Sequence, residues 1–326
     1  MLYRTLGRTK LSVSEIGLGC SGFWGDKHFP ENKAASIVNA AWDCGVNFFD
    51  TGSNYSNFNA EPRLGRSLKP LLAAGHRDKI VISTKAGSTV GYAPHVEDND
   101  LASTDFSAQA IEASCLRSIQ NLGCGWIDVF QLHGLNKGAF GNELFDCLRS
   151  LKERGLVRHV GINTHFHEEF IEVLKYPDIF EMVLLDCNVL QLDRYEDIAR
   201  LQQLDMGVAV GCVMGQGHLV RKVKIGSFRD GSFFWYLLRT VIKPTTRAFR
   251  NNASRMREVL TSIPEMTAAQ AAFAYLLENP HIASCMFGTT NVKNLQEVVE
   301  ASGQSLSEES RRRIRAAYEA GPSLSR

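Results

Sequence analysis

Short apolar runs rich in β-branched residues recur at positions 16–19, 46–50, 80–85, 127–133, 157–163, 182–187, 208–213 and 283–287. Each is bounded by polar or glycine-containing sequence, the pattern expected of strands buried on both faces. Between them the spacing changes to that of helices. Residues 107–121 are the clearest case: Ala110, Ile111, Ser114, Cys115, Ser118, Ile119 and Leu122 form a small and apolar stripe, with Glu112, Arg117 and Gln120 outside it. Residues 142–154, 165–175, 195–204, 267–279 and 291–301 repeat the theme. Ser107 and Thr267 stand where helices can begin, and Gly123 and Gly155 where they should stop.

Eight strands alternating with helices, without a linker-like stretch, predict an α/β fold: a closed (β/α)8 TIM barrel forming one domain over residues 1–326. The competing architecture is an open doubly wound sheet. Against it, no G-x-G-x-x-G joins the first strand to the first helix. Two segments fall outside the eight units. Residues 2–5 and 11–15, separated by Gly7-Arg8-Thr9-Lys10, predict an N-terminal β-hairpin within 1–15 that covers the bottom of the barrel. Residues 307–320 predict a charged amphipathic C-terminal helix that stops at Gly321-Pro322.

Composition changes this picture little. The hydrophobic fraction of 44% and charged fraction of 22% are those of a soluble globular protein, and 326 residues suffice for a substantial core. A net charge of +1 gives no global pull toward nucleic acid or a membrane surface. The eight cysteines include no C-x-x-C pair and no histidine at metal-ligand spacing, so no metal is expected. They read as reduced, mostly buried thiols of a cytoplasmic protein. The first residues lack the apolar core of a signal peptide, and no apolar run is long enough to span a bilayer. Nothing in the sequence specifies an oligomeric state.

Candidate chemistry collects at the carboxyl ends of three consecutive predicted strands. Asp50 closes the second run and Tyr55 follows it; Lys85 closes the third and His133 the fourth. Singly, such residues are more often a turn cap, a solvated cation or a satisfied structural histidine. Together at one end of a barrel they can deliver a proton to a carbonyl. Hydride delivery to the carbonyl carbon leaves charge on oxygen, which needs a proton donor in place. A free tyrosine, with a pKa of ~10, needs roughly 4 kcal/mol of preferential phenolate stabilisation to reach about 7. An ammonium against Tyr55 can supply that. Lys85 is then the tuner, Asp50 the carboxylate that keeps it charged, and His133 a neutral donor that orients the substrate oxygen.

These residues also carry a resemblance. Tyr3-Arg4-Thr5-Leu6-Gly7, Leu11-Ser12-Val13-Ser14, Ile16-Gly17-Leu18-Gly19, the Asp50/Tyr55 segment, Lys85 and Gln131-Leu132-His133 resemble the aldo-keto reductases. So do Gly155-Leu156-Val157-Arg158-His159-Val160-Gly161-Ile162 and Gly288-Thr289-Thr290-Asn291 with Leu295. The resemblance implies a (β/α)8 barrel that reduces aldehydes or ketones with a nicotinamide nucleotide, without metal. It implies cofactor contacts at Asn163 and Thr164, where the family usually has Ser-Asn against the carboxamide. It also implies them at Gly215-Gln216-Gly217, near the pyrophosphate, and at Gly288, Thr289, Thr290, Asn291 and Asn294, around the ribose. The usual sixth-strand Gln aligns with Leu184, with Asp186 and Asn188 as polar neighbours, and the usual seventh-strand aromatic with Gly211. Family members that prefer the phosphorylated cofactor often place Lys and Arg where this chain has Gly288 and Asn294. The family's habit favours NADP(H); the missing cations leave NAD(H) open, with Lys293 the nearby cation.

Two long connections should shape the pocket: residues 87–106, and a lid-like segment at 218–252 that interleaves cations with aromatics. Closure on an anionic or sugar-like substrate is weighed there against simple packing of the aromatics on the barrel, and packing is favoured. Phe23, Trp24 and Asn54 are candidate pocket walls, with a small-molecule carbonyl compound as the expected partner. The leading function is reduction of an aldehyde, ketone or ketosugar. The alternatives are a nucleotide-binding regulatory subunit of the potassium-channel β type, and a biosynthetic enzyme using the same tetrad for dehydration or epimerisation.

Overall fold

The computed structural model describes residues 1–89, 104–134, 138, 140–164, 167–220 and 244–321, with backbone alone at 167–168, 216 and 244–251. Strands β1 (Tyr3–Thr5) and β2 (Ser12–Ser14) pair antiparallel, Tyr3 opposite Ser14. The other eight are β3 (Ile16–Gly19), β4 (Phe48–Asp50), β5 (Val81–Ala86), β6 (Ile127–His133), β7 (Val157–Thr164), β8 (Met182–Asp186), β9 (Gly207–Gly211) and β10 (Ser284–Phe287). They pair in parallel in chain order, and β10 pairs back onto β3 to close a barrel. That closure rules out the open sheet. Each predicted run coincides with one strand, with small differences at the ends.

Side-chain alternation builds two packed layers from these strands. Phe48, Val81, Val129, Met182, Leu184, Ala209 and Met286 turn into the barrel, where Leu6 and Val13 of the hairpin join them. Leu6 and Val13 have no exposed surface, so the hairpin plugs the bottom as its sequence predicts. Arg4 pins it there, donating from Nε to Glu15 Oε1 (2.7 Å) and from its other nitrogens to the carbonyls of Leu277, Asn279 and Ile282. On the outer face Ile16, Leu18, Phe49, Ile82, Phe130, Leu132, Val160, Ile162, Val183 and Val208 pack against the helices. Missing side chains make room inside: a Cβ at Gly161 would come within 2.7 Å of Met182 Sδ, and one at Gly17 within 2.7 Å of Met286 Cε.

Helix boundaries follow the expected chemistry. The Ser107 hydroxyl caps Ala108–Leu122, which ends at Gly123 with φ 60°. Thr267 and Gln270 form a reciprocal capping box before Ala268–Leu277. The C-terminal helix runs Glu308–Glu319. Helices Glu31–Asp43 and Ala60–Ala73 are not among the predicted segments. The first buries only Ala34, Ile37, Val38 and Ala41, a narrow stripe. The second contains Pro70 and buries Glu61, Arg63 and Ser67, so its inner face does not read as apolar. It lies so close to Ala108–Leu122 that a Cβ at Gly65 would run into the Asn121 carbonyl.

Of the two long connections, residues 90–103 and 221–243 lie outside the described residues, and with them most of the lid-like segment. Its far end forms the start of the helix Pro244–Thr261. No helix among the described residues is long and apolar enough to cross a membrane.

Candidate active site

Strand register places the chemistry at one mouth of the barrel. Gly19 lies opposite Asp50, Asp50 opposite Ser83, Lys85 opposite Gln131, and His133 opposite Asn163. Beyond β4 the chain stays beside β5, because Thr51 N donates to Ser83 O (2.9 Å) and Ser53 N to Lys85 O (3.0 Å). That path delivers Tyr55 beside Lys85. Gly52 lets the ring fold back over the backbone: a Cβ there would lie 3.2 Å from it. Ser56, Asn57 and Phe58 then take left-handed φ values of 53°, 54° and 64°. Such backbone is costly for non-glycine residues and persists where surroundings enforce it. Here Ser56 Oγ donates to Gly22 O (2.7 Å) and Asn59 Nδ2 to Gly25 O (2.6 Å).

The four predicted residues come together. Lys85 has no exposed surface; its Nζ donates to Asp50 Oδ2 (2.5 Å) and to the Thr51 carbonyl (2.7 Å). The same nitrogen lies 4.9 Å from the centroid of the Tyr55 ring. The Tyr55 and His133 rings meet edge to face at 5.3 Å and 82°. Tyr55 and His133 keep some solvent access, whereas Asp50 and Lys85 are enclosed. Burial lowers the Lys85 pKa, and the Asp50 carboxylate opposes that by favouring the ammonium. The buried Cys20 thiol is pushed up by burial and then by Asp50, so it stays protonated beside this pair. Two contributors were missed at the sequence level: the Thr51 carbonyl, which leaves no sequence signal, and Gln131, whose signal is a polar residue inside an otherwise apolar run.

The candidate pocket walls divide. Phe23 is half-buried and meets Phe29 edge to face at 5.5 Å. Asn54 Nδ2 donates to Ser88 Oγ (2.9 Å) close to Tyr55. Trp24 is not a wall: it is buried, and its Nε1 donates to Ala34 O (3.3 Å), so it packs the helix Glu31–Asp43 onto the barrel.

The expected cofactor residues also divide. Asn163 is buried at the mouth; its Nδ2 donates to Leu184 O (3.0 Å), while its Oδ1 has no partner among the described residues. Thr164 lies on the opposite face of β7 by strand alternation, turned away from the interior. On β8 the inward residue at the mouth is Asp186, paired with Gly211 of β9. Leu184 lies two residues deeper, in the interior cluster. Gly215–Gly217 is a 3-10 turn in which Gly215 N is bonded to Cys212 O and Gly217 N to Met214 O. Those two N–H groups are therefore spent within the turn, contrary to the expectation that they face a pyrophosphate; the Gln216 side chain lies outside the described atoms. Thr289 Oγ1 accepts from Asn291 N (3.1 Å) and Asn291 Oδ1 from Lys293 N (2.9 Å), capping the helix Val292–Val299. Gly288 packs its backbone on Gly19, where a Cβ would lie 3.3 Å from the Gly19 carbonyl oxygen; Asn294 is half-buried and Thr290 partly exposed.

Comparison with known proteins supplies the remaining finding. A model of the aldo/keto reductase family matches residues 15–319. An uncharacterized oxidoreductase of Bacillus subtilis, YqkF, is 25% identical over 93% of this chain and 91% of its own length. The L-glyceraldehyde 3-phosphate reductase of Escherichia coli K12 is 25% identical over 92% of this chain and 87% of its own. Among solved structures, the holo form of aldo-keto reductase AKR11C1 from Bacillus halodurans superposes with a TM-score of 0.77. It covers 100% of this chain and 98% of its own at 22% identity, a likeness of fold.

Proposed function

The chain belongs to the aldo-keto reductase family and is an oxidoreductase, and from that premise we propose that it reduces a small aldehyde, ketone or ketosugar to the alcohol with Tyr55 as proton donor. One observation carries the reading: the wholly buried Lys85 Nζ sits 2.5 Å from a carboxylate oxygen and 4.9 Å from the centre of a phenol ring that solvent reaches. Buried amines tend to lose their proton, and Asp50 counters that at Lys85. The ammonium in turn favours negative charge on the Tyr55 oxygen, which makes the phenol a willing donor. His133, edge to face with Tyr55, orients the carbonyl oxygen between them. As the C–H bond forms at carbon, the phenol proton passes to that oxygen, and solvent later reprotonates Tyr55.

A reduced nicotinamide nucleotide supplies the hydride when bound. The buried Asn163 Oδ1, which has no partner among the described residues, fits it, since a carboxamide N–H2 is the kind of donor that atom lacks. The segment from Gly288 to Asn294 would take the ribose end. NADP(H) is favoured by the family's habit, with NAD(H) the alternative because Lys293 is the only cation in that segment and is exposed. Purified protein mixed with each nucleotide and a panel of aldehydes, ketones and ketosugars is expected to show carbonyl-dependent loss of the reduced nucleotide's absorbance. Nucleotide binding, seen as quenching of the four tryptophans, without turnover on any carbonyl would instead support a regulatory role. Consumption of substrate without nucleotide oxidation would support dehydration or epimerisation.

A further inference from the structure

Asp50 has two carboxylate oxygens, and only Oδ2 meets Lys85. Its Oδ1 accepts from Gln131 Nε2 at 3.0 Å, and the same amide nitrogen donates to Ser83 Oγ at 2.6 Å. Gln131 has no exposed surface and lies two residues before His133 on β6, on the same inward face. Lys85 is its register partner on β5, and Gly161 is its partner on β7. The glycine matters, since a Cβ at 161 would come within 3.2 Å of Gln131 Cγ. Both amide hydrogens are committed, so the amide is held in one orientation; turned over, its oxygen would face the Asp50 carboxylate. The cost of this arrangement is visible, because Gln131 Oε1 is buried without a partner among the described residues. A buried amide that leaves its own oxygen unsatisfied in order to donate to a carboxylate is unusual for a residue that merely fills space.

We propose that Gln131 is a positioning residue for the proton-transfer site: its amide holds the Asp50 carboxylate in the plane that presents Oδ2 to Lys85 and, through Lys85, sets the charge felt by Tyr55. This rests on the reductase reading of the site. A carboxylate tethered at one oxygen only can rotate about its last side-chain bond, and its hold on the ammonium then varies with that rotation. Among the described residues, the titratable groups around the pair are Cys20 from the end of β3, Glu61 from the helix Ala60–Ala73, Tyr55 and His133. Cys20 is kept protonated by burial. Glu61 Oε1 accepts from Thr84 and its Oε2 from Asn121, so it is held on the outer side of β5. Among the described residues, the side chains of Lys85 and Gln131 donate to the Asp50 carboxylate.

The test uses two variants of the full chain, with Tyr55→Phe alongside. Gln131→Met keeps the volume and removes both donors. It is expected to lower kcat by about 10- to 100-fold, as misplacement of a catalytic group does. Nucleotide affinity should be unchanged, and the alkaline limb of kcat should shift because the charge that Lys85 presents to Tyr55 changes. Gln131→Glu can donate in the amide's place only while the introduced carboxyl is protonated. Its activity should therefore approach wild type at the acid end and collapse as the pH rises and two carboxylates face each other. Wild-type kcat and an unshifted pH profile in Gln131→Met would overturn the proposal. So would a loss of kcat that tracks lost folding stability and nucleotide affinity with no shift in profile, which is the behaviour of a packing residue. If Tyr55→Phe stays fully active, the reductase reading fails with it; if Tyr55→Phe is inactive while Gln131→Met is unaltered, this inference alone fails.

Discussion

Replacing Tyr55 by Phe is expected to abolish carbonyl reduction while nucleotide binding survives. The loss in kcat should be on the order of 10²- to 10⁴-fold, the range contributed by a positioned general acid. The ring keeps its place in this variant, since its contacts with Gly52, His133 and Lys85 are made through its face and edges. Only the hydroxyl goes. Steady-state kinetics on the best carbonyl substrate, with a fluorescence titration of the nucleotide, would check both halves. Undiminished kcat would remove Tyr55 as the donor.

Replacing Lys85 by Met should cost activity and stability together, for separable reasons. Activity falls by roughly 10²-fold or more because the phenol loses the charge that tunes it. Stability falls by about 3–5 kcal/mol because one member of a buried ion pair has been removed and the other remains. The Asp50→Leu/Lys85→Met double variant removes both charges. Urea unfolding should show most of the lost stability recovered in it, with activity still absent. The wild-type protein adds a pH signature. Burial lowers the Lys85 pKa against the opposing pull of Asp50, so its ammonium is lost, as the pH rises, below the ~10.4 of a free lysine. Reduction should decline through that window. A single variant as stable as wild type would contradict the buried pair, and an alkaline limb at or above the free-lysine range would contradict its environment.

Much of the fold was legible because the barrel writes its strands as short apolar runs with regular spacing. The runs at 16–19 and 127–133 match β3 and β6 end to end, and Ser107, Thr267 and Gly123 mark helix boundaries with their own side-chain or backbone chemistry. The helix Ala60–Ala73 was not legible because its inward face is polar: Glu61 bonds Thr84 and Asn121, and Arg63 bonds the carbonyls of Trp24 and Asp26. Partners so far away in sequence leave no local periodicity. The four candidate residues were legible because strand ends are fixed once strands are, and strand ends face one mouth. Trp24 misled because proximity along the chain to a strand end does not say which way a side chain turns. Leu184 and Asp186 share the inward face of β8 at different depths, with Asp186 at the mouth, a distinction that needs the strand register. Gln131 was visible as a polar letter among apolar ones and as part of the motif with His133; its bond to Asp50 needed the third dimension.

The most direct measurement is isotope transfer. With nucleotide deuterated at the transferable position of the nicotinamide ring, the proposed chemistry predicts one deuterium on the carbinol carbon of the alcohol product and none elsewhere. Product that forms without label, or that is dehydrated or epimerised rather than reduced, would contradict it.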